Sequence, residues 1–138
     1  MANKNNTRVG NIHEKKGVCR MVVEVNADSY KEYADASNNY LVGLLPADAI
    51  IEDAYVFTKV ASDALAVTLG TAEAGTEIMS AGDSATLGAT GTFTGKSDTG
   101  SGVEVHMTLG AAATTGDFIV VIEYTEYTLN TGDLTRII

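Results

Sequence analysis

Apolar and polar residues alternate with a period of two along most of the chain, the signature of half-buried strands. In residues 18–25, VCRMVVEV, the positions Cys19, Met21, Val23 and Val25 form one wholly apolar face, and Val18, Arg20, Val22 and Glu24 form the other. This predicts a strand with its odd face on the core and Cys19 acting as a small buried hydrophobe. Residues 40–45 form a second strand, and Pro46 stands where a strand entrance or corner would tolerate a missing N–H. Residues 49–60 then read as one long strand. Ala49, Ile51, Asp53, Tyr55, Phe57 and Lys59 fall on one side and Ile50, Glu52, Ala54, Val56, Thr58 and Val60 on the other. Neither side is cleanly polar, so strict alternation predicts contact with protein on both faces for part of its length.

The pattern continues at residues 65–69, with Leu65, Val67 and Leu69 on one face, and at 103–109, with Val103, Val105, Met107 and Leu109 on one face. Residues 118–128 begin apolar on both faces, which predicts a central position. Between residues 70 and 102 the composition shifts to Gly, Thr, Ser, Ala and Asp. A structureless loop of that length is unusual in a compact domain, so short strands are expected near 77–80 and 90–94, with 95–102 as an exposed loop tip. Residues 26–39 read as a surface loop with a helical turn, capped by Asp28 or Ser29. Residues 134–138 read as an edge strand or an arm. The Gly-Asp pairs at 82–83, 116–117 and 132–133 are turn chemistry. The expected class is an all-β antiparallel sandwich in a single domain at 18–138, preceded by a polar, basic N-terminal arm at 1–17.

Charge sharpens that division. Residues 1–20 hold five cations (Lys4, Arg8, Lys15, Lys16, Arg20) against Glu14, a net +4, so the rest carries −13 of the total −9. Such an acidic body would repel phosphate, which argues against nucleic acid as a partner. The basic arm is suited to an acidic protein surface. The longest apolar stretch, at 118–122, falls far short of the roughly 20 residues of a membrane helix, and the polar start lacks a secretory pattern, so no membrane role is expected. A single cysteine leaves no intrachain disulfide, and the fold must rest on its core or on oligomerisation.

Catalytic chemistry is not announced. His13 lies in the arm, His106 on the outer side of a strand, and nothing in the pattern joins either to Cys19. There is no phosphate-binding glycine loop and no zinc spacing. Glu52 with Asp53, and Asp83 with Asp98, are the carboxylates that a loop-bound cation would use, without EF-hand spacing. The expectation is a protein that is no enzyme, with no cofactor and no metal.

Three stretches carry a resemblance: the Leu45-Pro46-Ala47 corner leading into AIIEDAYVF, the Val67-Thr68-Leu69-Gly70 strand end, and the Gly116-Asp117 start of FIVVIEYTEY. Over residues 18–128 the chain resembles the small jelly-roll cement, or decoration, proteins of tailed-phage heads. That resemblance implies a jelly-roll sandwich that forms dimers or trimers, binds the major capsid protein on the outer surface of the virion and bridges neighbouring shell subunits. The residues assigned on this basis to the capsid or subunit interface are Arg8, Lys15, Lys16, Arg20, Tyr30, Tyr33, Ile137 and Ile138. The alternative from a different class is a receptor- or carbohydrate-binding sandwich of a phage fibre or spike, for which, without Trp, only the tyrosines would offer sugar platforms.

Overall fold

The structure, a computed structural model, describes residues 13–64 and 66–129. Their strands, in chain order, are β1 (His13–Asn26), β2 (Asn39–Leu45), β3 (Ala49–Val60), β4 (Ala66–Gly70), β5 (Met79–Asp83), β6 (Gly88–Thr90), β7 (Thr92–Phe93), β8 (Ser97–Asp98), β9 (Val103–Leu109) and β10 (Asp117–Leu129), with one short helix, α1 (Ala27–Tyr33), after β1. They form two antiparallel sheets. Sheet A has the order β1-β10-β3-β6, with β8 also on β3, and sheet B the order β2-β9-β4-β5-β7. The first strand pairs with the last and the second with the last but one; β3 and β4 then close the other sides of β10 and β9. This nested wrapping is a jelly roll.

The core lies between the sheets. Sheet A contributes Val25, Ile51, Ala54, Val56, Phe118, Val120 and Ile122, and sheet B contributes Val42, Leu45, Val67, Leu69, Met79, Val105, Met107 and Leu109. Cys19 is half-buried, with its thiol directed at the Glu126 carboxylate at 3.7 Å. Residues 118–122 are central as expected, because β10 is flanked by β1 and β3.

The mixed pattern of β3 has a different origin from two-sided burial. Glu123 pairs with Asp53 but Tyr124 pairs with Ile51, so Glu52 is an extra residue in a β-bulge. The bulge exchanges the faces. Ala49 and Ile51 point inward before it, and Ala54, Val56 and Thr58 point inward after it. Inward Thr58 is only 1% exposed, and its hydroxyl finds no hydrogen-bond partner. Replacing Thr58 with Val keeps the shape and removes the orphaned group, so a gain of about 1 kcal/mol is expected in urea unfolding. A loss would mean that the hydroxyl is satisfied.

Other departures from the sequence pattern are local. Strand pairing reaches back to His13, which stands opposite Leu129, with a register shift between Lys15 and Val18; strand structure therefore starts inside the segment read as arm. Asn26, rather than Asp28 or Ser29, caps α1, its side chain accepting the Ser29 N–H at 2.9 Å. Residues 95–102 are more than a loop tip. Ser97 and Asp98 pair with Ile51 and Ile50, and buried Thr99 bonds the Pro46 carbonyl and the Ala49 N–H, tying the β8–β9 loop to the β2–β3 corner. The expected 134–138 element and Leu65 lie outside the described residues.

The glycine-rich stretch is the crossing side of the sandwich. Between β5 and β9 the chain passes from sheet B to A, back to B, to A again and finally to B. Gly88, Gly91, Gly95, Gly100 and Gly102 all take positive φ along this path. At Gly91 a single residue carries the chain from one sheet to the other.

Candidate interaction surface

Strand alternation places a second set of side chains on the outer face of sheet A, and the registers arrange them in rows. Arg20, Glu123 and Asp53 form one row; Val22, Val121 and Tyr55 the next; Glu24, Ile119 and Phe57 the third. Val22 is 58% exposed and Phe57 42%, although both stand in the middle of paired strands. Exposed Val22 on β1 and Phe57 on β3 thus flank Val121 of β10, which is itself buried, with charged groups nearby on both outer strands.

Those charged groups are paired. The Arg20 Nε donates to Glu123 at 3.0 Å, Lys59 bridges Glu24 at 3.0 Å and Asp117 at 3.6 Å, and Lys96 reaches Glu52 at 3.0 Å. Lys59 holds the Glu24 carboxyl below its ordinary value by hydrogen bonding, and burial pushes the Asp117 carboxyl up. Residues 20–129 contain only four Lys or Arg, and three of them, Arg20, Lys59 and Lys96, lie on this face. The rest of the body is left strongly acidic.

Sheet B presents a polar outer face. The His106 Nε2 lies 2.9 Å from a Glu104 oxygen, its Nδ1 meets the Asn39 amide, and Thr108 receives the Ala74 N–H at 3.0 Å. These bonds satisfy one another and aim no group at an open cleft. Beside them Leu44, Leu45, Ser101, Gly102, Val103 and Glu104 line a shallow groove. Among the described residues no three His, Cys, Asp or Glu converge as metal ligands. Asp83 is used by its own loop, accepting from Ala85 N–H and Thr86 Oγ1, and Asp98 accepts from Gly100 N–H and the Tyr127 hydroxyl.

Asp63 joins two connections at one end of the sandwich. Its carboxylate accepts the Thr114 hydroxyl, the Thr114 N–H at 2.9 Å and the Thr115 N–H at 3.3 Å, which lower its pKa to about 2. The folded value lies below the unfolded one of 3.8, so this contribution is complete above pH ~4 and disappears as pH falls towards 2. The charge-dependent part of the stability difference between wild type and Asp63→Asn is therefore expected to be full at pH 6 and to be mostly lost by about pH 2. A difference independent of pH in urea titrations would contradict this.

The structure separates the residues assigned from sequence to an interface. Arg20 lies on the outer face of sheet A, and Tyr33 is 68% exposed at the end of α1. Tyr30 does not belong to a surface: it is 2% exposed, stacks on Tyr40 with ring centroids 6.2 Å apart, and donates its hydroxyl to the Asn38 carbonyl. Burial raises its pKa to about 12. Tyr33 lies only about 60° round the helix from Tyr30, but it is the last residue of α1 and its ring stays exposed. Lys15 and Lys16 lie in β1. Arg8, Ile137 and Ile138 lie outside the described residues. Sequence reasoning missed Val22, Tyr55 and Phe57. The signal for Val22 was the non-core face of β1, where two valines alternate with two charges, and the signal for Tyr55 and Phe57 was hidden by the bulge.

This fold is shared with a chain of the cyanophage Pam1 capsid asymmetric unit. The two superpose with a TM-score of 0.61 at 17% identity, over 91% of this chain and 97% of that chain. No protein-family model and no curated protein sequence matches. The likeness is one of architecture, and it spans both chains almost from end to end.

Proposed function

We propose that this chain is a structural, non-enzymatic virion protein that binds the major capsid protein on the outer surface of a phage head and, as a homo-oligomer, cements neighbouring shell subunits. The observation that carries the proposal is the nearly complete mutual coverage with a chain of a phage capsid asymmetric unit, in a sandwich with no large insertion on either side. Exposed apolar side chains such as Val22 and Phe57 and a basic N-terminal segment on an acidic body are the kinds of surface such a role uses. Each copy contributes a modest contact, and repetition over the shell multiplies it.

The test is the copy number of this chain in purified particles, by quantitative gel densitometry against the shell protein. A number comparable to the shell subunit supports a cement. A few copies per particle would point instead to a fibre or spike, and absence from the particle would remove the virion role. The proposal also assigns residues 1–12 to attachment. Deleting them leaves β1 whole and removes Lys4 and Arg8. Two exposed ion pairs at about 0.2–1 kcal/mol each amount to roughly a 2- to 30-fold loss of affinity for the particle, together with a shallower salt dependence. Equal binding by the truncated and full chains would refute this assignment.

A further inference from the structure

We propose that two copies of this chain pair edge to edge through β1, antiparallel, about a two-fold axis that passes beside Val22 perpendicular to sheet A. The contact deepens the reading of a homo-oligomeric cement and rests on that reading for its role, but it is tested on the isolated chain.

Among the described strands, β1 is the one long edge left open. It pairs with β10 on one side and has no described strand on the other, so a row of backbone N–H and C=O groups faces outward. Such an edge is a template for another chain, and proteins blunt it with shortness, bulges, proline or lysine. The other edges carry such devices: β6, β7 and β8 have three, two and two residues, and β2 is broken by a register shift between Leu41 and Gly43. Residues 18–26 of β1, VCRMVVEVN, have none of them. Their register with β10 runs without a shift, and Val18 and Val22 stand 61% and 58% exposed.

The charge pattern along that stretch selects a second copy as the occupant. Residues directly opposite each other in an antiparallel pair point to the same face, so a two-fold axis perpendicular to the sheet must set one residue opposite itself. Val22 is the midpoint of residues 18–26. With the axis there, Val22 faces Val22, Arg20 faces Glu24 of the second copy, and Glu24 faces Arg20 of that copy. An axis at Met21 or Val23 would set Arg20 against Val22 or Asn26 instead. Arg20 then lies between its own Glu123 and the second copy's Glu24, and Glu24 lies between its own Lys59 and the second copy's Arg20. On the core side Met21 faces Val23, and both are only partly buried in the single chain, so pairing covers them further. Regular pairing stops where the register shift between Lys15 and Val18 of one strand meets the start of α1 in the other. The two strands exchange roughly eight to ten backbone hydrogen bonds and join the two copies of sheet A into one. The edge is complementary to itself, as an isologous interface must be.

The experiment uses the full chain in about 0.15 M salt, which screens its overall charge. Sedimentation equilibrium from low to high micromolar concentration is expected to show a monomer–dimer equilibrium. Arg20→Glu and Glu24→Arg are both exposed changes, and each sets two pairs of like charges opposite one another in its own dimer. Each is expected to raise the dissociation constant about fivefold or more. An equimolar mixture of the two variants restores both opposite-charge pairs in the mixed dimer, and it is expected to associate several-fold more tightly than either variant alone. In a Cys19→Ser background checked by circular dichroism, Val22→Cys is expected to be joined into dimers by a short bis-maleimide. Val18→Cys, about 27 Å from its counterpart at 3.4 Å per residue, is not. A monomer at every concentration, a mixture no tighter than its components, or Val22→Cys cross-linking no more readily than Val18→Cys would overturn the pairing. None of these outcomes bears on particle copy number, so this pairing and the virion role fail separately.

Discussion

Deleting Tyr55 is expected to abolish stable folding, whereas deleting Glu52, three residues earlier, is expected to leave the chain folded. The contrast follows from the bulge in β3. Without Glu52 the strand reads Ala49, Ile51, Ala54, Val56 and Thr58 on one face with no interruption, so every buried residue keeps its place. Among the losses are the exposed ion pair of Glu52 with Lys96 and the hydrogen bond from the buried Thr125 hydroxyl, a cost of about 1–3 kcal/mol that a stable fold can absorb. Without Tyr55 there are two ways to continue, and both are costly. Either the bulge persists and Phe57 and Lys59 turn inward while Val56 goes out, or the strand straightens and Asp53 takes the buried position of Ala54. An unpaired carboxylate or ammonium in the core costs several kcal/mol, about 3–5 when a buried charge loses its partner, against a total stability of roughly 5–15 kcal/mol. Circular dichroism and urea unfolding of the two deletions decide the matter. Equal tolerance, or folding of the Tyr55 deletion alone, would show that the face exchange is not set at Glu52.

Gly91→Ala is expected to destabilise the fold by about 2–6 kcal/mol. A Cβ at Gly91 would stand 2.2 Å from the Met79 Sδ, 2.6 Å from its Cγ and 2.7 Å from its Cε. Met79 is fully buried and cannot swing into solvent. Overpacking of this kind costs about 1–3 kcal/mol, and the φ of +99° adds backbone strain of about 1–3 kcal/mol for a residue with a side chain. Gly88 supplies the comparison. Its φ is +96°, but no atom lies within 4 Å of the position its Cβ would occupy. Gly88→Ala should therefore show the strain alone, about 1–3 kcal/mol. If the two substitutions cost the same, the close approach to Met79 contributes nothing, and the passage from β6 to β7 depends only on backbone freedom.

These two changes act on the features that give the sandwich its faces. The bulge directs Tyr55 and Phe57 outward while Ala54 and Val56 fill the core. The glycine passages close the side of the sandwich opposite β1 and β2, through β6 on β3 and β7 on β5. A defect in either would damage the outer surface of sheet A together with the core beneath it.

Strand content, the core face of β1, the one-sided β9 and the central place of β10 follow from the sequence, because a half-buried strand must alternate and a doubly flanked one need not. The acidic body and basic N-terminal segment are likewise read directly from the chain. The exchange of faces in β3 is not, because one inserted residue inverts the meaning of every later position, and only the pairing of Glu123 and Tyr124 reveals it. Tyr30 and Tyr33 look alike in sequence and share a side of α1, so only the packing of the folded chain buries one and leaves the other in solvent. The glycines at 88, 91, 95, 100 and 102 show as turn residues, but that they carry the chain from sheet to sheet depends on which strands they join. The candidate surface was the least legible part. Its rows combine β1, β10 and β3, strands far apart in sequence, and its ion pairs, such as Arg20 with Glu123, exist only once hydrogen bonding has set the strands side by side.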